Sequence, residues 1–201
     1  MKLSLEKLIN GYRRFRDDNQ KTTQLLNQLS KAGQKPEAMI IACADSRVDP
    51  AILFQCDPGD LFVVRNVANL VPPFEQDSHH HGTSAALEFG VCYLHVKHVI
   101  VMGHSQCGGI QARLNPESLE GQNDFLGNWT SLIDIEHAKE KTVDCCAKHS
   151  LENSEKNLLT FPWIKERVNT GTLQIHLWFF DIATATVQRF DKTQQKFIPL
   201  I

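Results

Sequence analysis

The residues able to do chemistry gather at the ends of short apolar runs. Val99-Ile100-Val101-Met102 is a run of the kind that forms a buried strand, and Gly103 ends it. His104 and Cys107 follow, three residues apart, with Gly108 and Gly109 behind them. An imidazole and a thiolate at that spacing can share a tetrahedral metal, and the glycines let backbone approach whatever is bound. A second run, residues 38–43, ends in Cys43 and leads into Ala44-Asp45-Ser46-Arg47. An acid and an arginine two residues apart at a strand's C-terminal end stand where open α/β sheets place ligands. Cys43, His104 and Cys107 make three soft or borderline donors, and Asp45 adds a fourth. Two thiolates and an imidazole favour zinc over magnesium or calcium. The spacing alone leaves three readings. Three ligands leave a fourth position for water, as in a catalytic site. All four ligands would close a zinc that only supports the fold. A metal-free core with buried thiols and a buried histidine is the third.

The elements that position these residues alternate. Residues 38–43 are continuously apolar, as in a strand buried on both faces of a parallel sheet. Asp49-Pro50 opens a short helix through Phe54, Pro50 suiting its first turn. Asp57-Pro58-Gly59-Asp60 is a turn, and Leu61 to Val64 a second strand ending in Arg65-Asn66-Val67-Ala68-Asn69. Residues 72–81 form a loop. Its histidines 79–81 invite a metal reading, but sequence neighbours rarely converge on one ion, so they are read as a solvated loop. A helix is expected over 84–95, with Cys92 in its apolar pattern and hence in the core, then the 99–102 strand and a helix from about 109. Residues 116–128, polar and rich in glycine and asparagine, are expected to be a loop, with helices over 129–150 and 154–169. Cys145 and Cys146, adjacent on a helix, point apart and take a structural role. Gly171 closes that segment, a strand follows over 173–182, and 187–190 with 196–198 form a terminal antiparallel hairpin. At the other end, Leu5, Leu8, Ile9, Tyr12 and Phe15 fall at helical spacing in 3–16, and a second helix over 20–32 closes at Gly33. These two helices either pack on their own core or form an arm laid on a partner subunit. The expected fold is α/β: a single domain over 1–201, with a mostly parallel central β-sheet flanked by helices and an N-terminal helical arm over 1–33.

Composition narrows the function. The 201 residues suit one domain with a real core. A net charge of −2 gives no basic surface for nucleic acid. No apolar run approaches the roughly 18 residues of a membrane span, and the N-terminus shows no apolar stretch with a cleavage site. The chain is therefore read as cytoplasmic and reduced. Its six cysteines then act as metal ligands or buried thiols rather than a disulfide frame.

Taken together, Cys43-Ala44-Asp45-Ser46-Arg47, Arg65-Asn66-Val67-Ala68-Asn69 and Gly103-His104-Ser105-Gln106-Cys107-Gly108-Gly109 resemble the signature blocks of the β-class carbonic anhydrases. Gly33-Gln34-Lys35-Pro36 and Asn69-Leu70-Val71-Pro72-Pro73 resemble the plant-like branch. The resemblance runs in order from about residue 33 to 112 and continues more weakly through 176–181. It implies one Zn2+ per subunit, held by Cys43, His104 and Cys107, with Asp45 as a possible fourth ligand in a closed form. It implies that Arg47 pairs with Asp45 and keeps the site open, and that Asp45 and Arg47 are catalytic. It implies a carbon dioxide pocket from Gln34, Phe62, Val67, Phe89 and Gly108, with Gln34 supplied by the neighbouring subunit. The partner expected is a second copy of the chain, in a homodimer or dimer of dimers with active sites at the interface, and neither nucleic acid nor membrane.

The implied reaction is reversible hydration of carbon dioxide to bicarbonate and a proton by zinc-bound hydroxide, with activity rising toward alkaline pH. Histidines 79–81 or solvent buffer would carry the proton away. The sequence departs from the family in two respects. Phe89 stands where some members have tyrosine. Arg65 matches one residue of a non-catalytic bicarbonate pocket found in one branch, but its companions there read Ile40 and Phe180 instead of tryptophan and tyrosine, so that pocket is expected to be absent. Within the same fold, hydrolysis of carbon disulfide or carbonyl sulfide is an alternative. A non-enzymatic zinc module using the N-terminal helices is another, although a structural zinc needs no Asp45–Arg47 pair. A thiol redox role lacks its CxxC motif.

Overall fold

Six strands form one sheet in the order β2-β1-β3-β4-β5-β6. The computed structural model describes residues 4–77, 79–118 and 124–201. β1 (Ala38–Cys43) lies between β2 (Leu61–Asn66) and β3 (His98–His104), and β4 (Gln174–Asp181) adds to β3; all these pairings are parallel. β5 (Thr186–Asp191) and β6 (Lys196–Pro199) extend the sheet antiparallel as a hairpin. Parallel neighbours need crossovers. α3 (Pro50–Leu53) lies between β1 and β2, α4 (Gly82–Glu88) between β2 and β3, and α5 (Gly108–Leu114) through α8 (Pro162–Asn169) between β3 and β4.

β1 and β3 are buried along almost their whole length, which explains their unbroken apolar sequence. Alternation along them feeds two cores. Met39, Ile41, Val99 and Val101 pack with Leu151, Leu177 and Phe179 on one face, and Ile40, Ala42, Ile100 and Met102 with Phe180 and Val48 on the other. Leu151 comes from α7 (Val143–Leu158), the helix laid on β3 and β4.

Several boundaries differ from the sequence reading. The strand expected to stop at Gly103 continues through His104. Gly103 serves there because a Cβ would meet the Leu151 side chain at 3.4 Å. In the stretch expected as loop, α6 (Asp124–Thr130) forms, preceded by a 3-10 turn over Pro116–Ser118, while 119–123 fall outside the described residues. The helix expected over 129–150 starts only at Val143, after turns and bends, where the Thr142 hydroxyl accepts the Cys145 amide. The helix expected over 154–169 is two elements. α7 ends at Leu158, and α8 (Pro162–Asn169) begins on Pro162, a residue that starts helices but breaks their interiors. The 84–95 helix changes character at Phe89: Phe89–Tyr93 is one π-helical turn, with Leu94 N–H donating to Phe89 O. Cys92 is only half-buried there, not in the core, and lies 3.8 Å from an Arg167 nitrogen.

α1 (Leu5–Asp18) and α2 (Gln20–Ala32) contribute no buried residue, and Leu5, Leu8 and Tyr12 stand exposed. Gly33, at φ +74, turns the chain out of α2. Among the described residues, no helix is long and apolar enough to cross a membrane.

Gly109 is the tightest point near the strand ends. A Cβ there would lie 2.7 Å from Val67 Cγ1 and 2.9 Å from Ala68 Cβ. Gly109→Ala is therefore expected to destabilise the protein by about 1–3 kcal/mol, the usual cost of overpacking, measured by denaturant unfolding against the parent chain.

Candidate metal centre

Register brings the donors together. Ala42 pairs with Met102, so Cys43 and His104 end two neighbouring parallel strands at the same edge. Cys107 follows three residues later and caps the N-terminus of α5. The turn between them needs Gln106 at φ +54, a conformation costly for a residue with a side chain. Gln106 is held there because its N–H donates to Asp144 Oδ1 (2.8 Å) in the first turn of α7.

The donor atoms of Cys43, His104 and Cys107 all lie within 4.8 Å of one another, and all three residues are buried. The two sulfurs are 3.9 Å apart. His104 Nδ1 bonds the Ser105 carbonyl at 2.8 Å, which puts the ring proton on Nδ1 and leaves Nε2 with its lone pair. Nε2 is buried without a hydrogen-bond partner. A sealed imidazole lone pair facing two sulfurs is the donor set zinc takes. The pair of thiols otherwise shares one negative charge. The Cys107 S–H stabilises the Cys43 thiolate and lowers Cys43, while that contact and burial push Cys107 up. A divalent cation would let both sulfurs ionise.

Asp45 stands beside this group but is engaged elsewhere. Arg47 holds it in a bidentate pair, Nε to Oδ1 at 3.0 Å and Nη2 to Oδ2 at 2.8 Å, and the Arg47 amide donates to Oδ1 at 2.9 Å. Oδ2 is 3.8 Å from His104 Nε2. The Arg47 guanidinium holds the Asp45 carboxyl well below its ordinary 3.8. A lowered carboxyl stabilises the fold above its unfolded value and loses that contribution only as pH falls through its folded value. The pair thus persists, charged, throughout the neutral range.

Sequence reasoning placed Arg65 at a strand end without its role. Its Nε and Nη2 donate to Cys43 O (3.0 and 2.9 Å), Nη2 also to Asp45 O and Val48 O (2.6 Å each), and Nη1 to Asp49 Oδ2 (3.1 Å). Asp49 in turn caps α3 through the Ala51 and Ile52 amides. One guanidinium therefore clamps the backbone that carries both Cys43 and Asp45. Nothing in the local pattern marks this role, because every acceptor but one is main chain.

The expected pocket residues are brought together in part. Phe62 and Phe89 meet as a tilted pair with ring centroids 5.8 Å apart, and Phe89 stacks on Tyr93 at the same separation. Val67 lies against Gly109 and accepts the Trp129 indole N–H on its carbonyl at 2.7 Å. Around a Cβ placed on Gly108 there is open space. Gln34 lies exposed between α2 and β1, apart from these contacts. Ile40 is fully buried beneath the sheet, and Phe180 nearly so.

A parallel sheet with a cysteine, a histidine and a second cysteine at its carboxyl edge, beside an arginine-locked aspartate, defines a class of metalloprotein. The sequence model of the family described as "Carbonic anhydrase" matches residues 38–187. Beta carbonic anhydrase 5, chloroplastic, of Arabidopsis thaliana is 40% identical over 169 residues, covering 78% of this chain and 55% of that protein. The structure of the β-carbonic anhydrase CcaA superposes with a TM-score of 0.87 at 31% identity, covering 98% of this chain and 92% of that one. A tetrameric β-carbonic anhydrase of Sordaria macrospora superposes at 0.70 and 29% identity, with 92% of each chain covered. The chain belongs to the β-class carbonic anhydrases, and it spans little more than half the length of the Arabidopsis relative.

Cys107→Ser is expected to drop the zinc content of purified protein well below one ion per chain, read by elemental analysis. Unchanged zinc would remove Cys107 from the ligand set.

Proposed function

We propose that the chain catalyses the reversible hydration of carbon dioxide to bicarbonate and a proton, with one zinc ion per subunit held by Cys43, His104 and Cys107. The observation that carries this reading is the arginine-locked Asp45 beside a buried three-donor group. A structural metal would need no such lock, and a locked carboxylate leaves a fourth position to solvent. Zinc would supply a water far more acidic than bulk water, from about 15.7 to roughly 7 in carbonic anhydrases with three histidine ligands, and less acidic here beside two thiolates.

The protein's own residues do the rest. Asp45, kept ionised and oriented by Arg47, accepts a hydrogen bond from the attacking oxygen and aims it. Phe62, Val67, Phe89 and Gly108 give a small uncharged gas an apolar wall, and Phe89 offers no hydroxyl to it. Gln34 completes the pocket from a neighbouring subunit by donating its amide to a substrate oxygen. The exposure of Gln34 between α2 and β1 supports that assignment. A homodimer, or a dimer of dimers, is supported by the apolar side chains left exposed on α1 and by exposed Val67, Phe89 and Tyr93 beside the site. The Sordaria relative is tetrameric. Every guanidinium nitrogen of Arg65 is already engaged, which supports a site without the bicarbonate pocket of the other branch. Thiolate ligands and six free cysteines suit a reducing compartment, which we take to be the cytoplasm, with residues 1–201 as one unit.

Stopped-flow carbon dioxide hydration on zinc-loaded protein tests the reading. Turnover is expected to rise from neutral to alkaline pH without a step from Asp45, whose ionisation is complete below that range. Asp45→Asn is expected to keep its zinc and lose about 100-fold or more in kcat; full activity would remove Asp45 from the mechanism. Full zinc occupancy with no turnover at any pH would overturn the carbon dioxide reading and direct the assay to carbon disulfide and carbonyl sulfide.

A further inference from the structure

We propose that Asp77, His79 and His81 form a second metal site, distinct from the cysteine-histidine group, that takes a borderline divalent cation such as zinc. The inference does not depend on the proposed reaction. The three histidines of this loop do not act as neighbours. His79 and His81, two residues apart, turn to the same side and meet opposite oxygens of one carboxylate, His79 Nδ1 at 3.1 Å from Asp77 Oδ2 and His81 Nε2 at 2.7 Å from Oδ1. His80 takes no part in the group. The donor atoms of Asp77, His79 and His81 all lie within 4.8 Å of one another.

The chain already holds these groups in place. The His79 amide donates to Asp77 Oδ1 at 2.7 Å, fixing the carboxylate against its own backbone. The His81 carbonyl accepts the Ala85 amide at 2.9 Å, so that histidine is anchored at the start of α4. Bond lengths of about 2.0–2.2 Å put tetrahedral ligand atoms roughly 3.4 Å apart. The two carboxylate–imidazole separations, 3.1 and 2.7 Å, are already shorter than this, so a cation would spread those contacts rather than gather them. Binding needs each facing ring nitrogen to present its lone pair. A neutral imidazole does this by carrying its proton on the other nitrogen, with no change of charge.

Two imidazoles and one carboxylate select zinc, nickel or copper over magnesium or calcium. Open coordination positions fall to water, because the same three residues line a cavity of about 780 Å3 together with Glu75, Glu88 and Trp163. An ion there would tie Asp77 and His79 to the start of the helix that leads into Phe89.

Zinc-loaded protein dialysed against excess Zn2+ near neutral pH, then counted by elemental analysis, tests this. About two ions per chain are expected for the parent protein and about one for the double variant His79→Asn/His81→Asn, with Asp77→Asn also falling short of two. Cu2+ added to the zinc-loaded parent should give an electron paramagnetic resonance spectrum with nitrogen hyperfine splitting that the double variant lacks. Circular dichroism checks that both variants fold. One zinc per chain in the parent, or a second ion that survives in the folded double variant, overturns the proposal.

Discussion

The pairing of β1 with β3 is the constraint on which the rest depends. Parallel strands in register end at the same edge, and the last residues of these two are Cys43 and His104. Both strands are sealed on both faces, so a slip of one residue would exchange two buried apolar sets at once. The positions of two donors are thus set by the hydrophobic core, at a distance from any metal chemistry. The third donor needs a short turn, and that turn is held by Asp144 of a helix packed on the same sheet.

Electrostatics completes what packing begins. The buried donors form a group that favours a cation, since two sulfurs in contact cannot both ionise unaided. Asp45 carries a negative charge next to them and would be a natural additional ligand. Arg47 removes that option by matching both carboxylate oxygens. At the proposed zinc site, a single arginine two residues away would therefore separate an open arrangement from a closed one.

Much of this was legible in the sequence. The run 38–43 reads as a strand because burial on both faces leaves no polar residue to confuse the pattern, 61–64 reads as one from its apolar β-formers although it is only partly buried, and Gly33 and Gly171 mark real stops at positive φ. Cys43 and His104 were legible because each stands where a run ends, and Cys107 because it follows His104 at a ligand-like spacing. What failed was boundary reading where two signals compete. Gly103 looks like a stop, yet it is a strand residue made small by Leu151 above it. Pro162 interrupts a continuous helical pattern and starts a new helix. Asp124–Thr130 is helical despite a polar, glycine-bearing surround. The roles of Arg65 and Asp144 could not be read at all, since their partners are backbone groups far away in sequence. Three consecutive histidines, read as neighbours, hide the group that the alternate pair His79 and His81 forms with Asp77.

The clamp made by Arg65 has a consequence for the strand end it holds. Its guanidinium binds three carbonyls and a carboxylate of its own chain, with every nitrogen engaged. The arginine is a rivet: it fastens the main chain of Cys43, Asp45 and Val48 to one point of the fold. Losing it would loosen the end of β1 and the Asp45 turn together, as one piece.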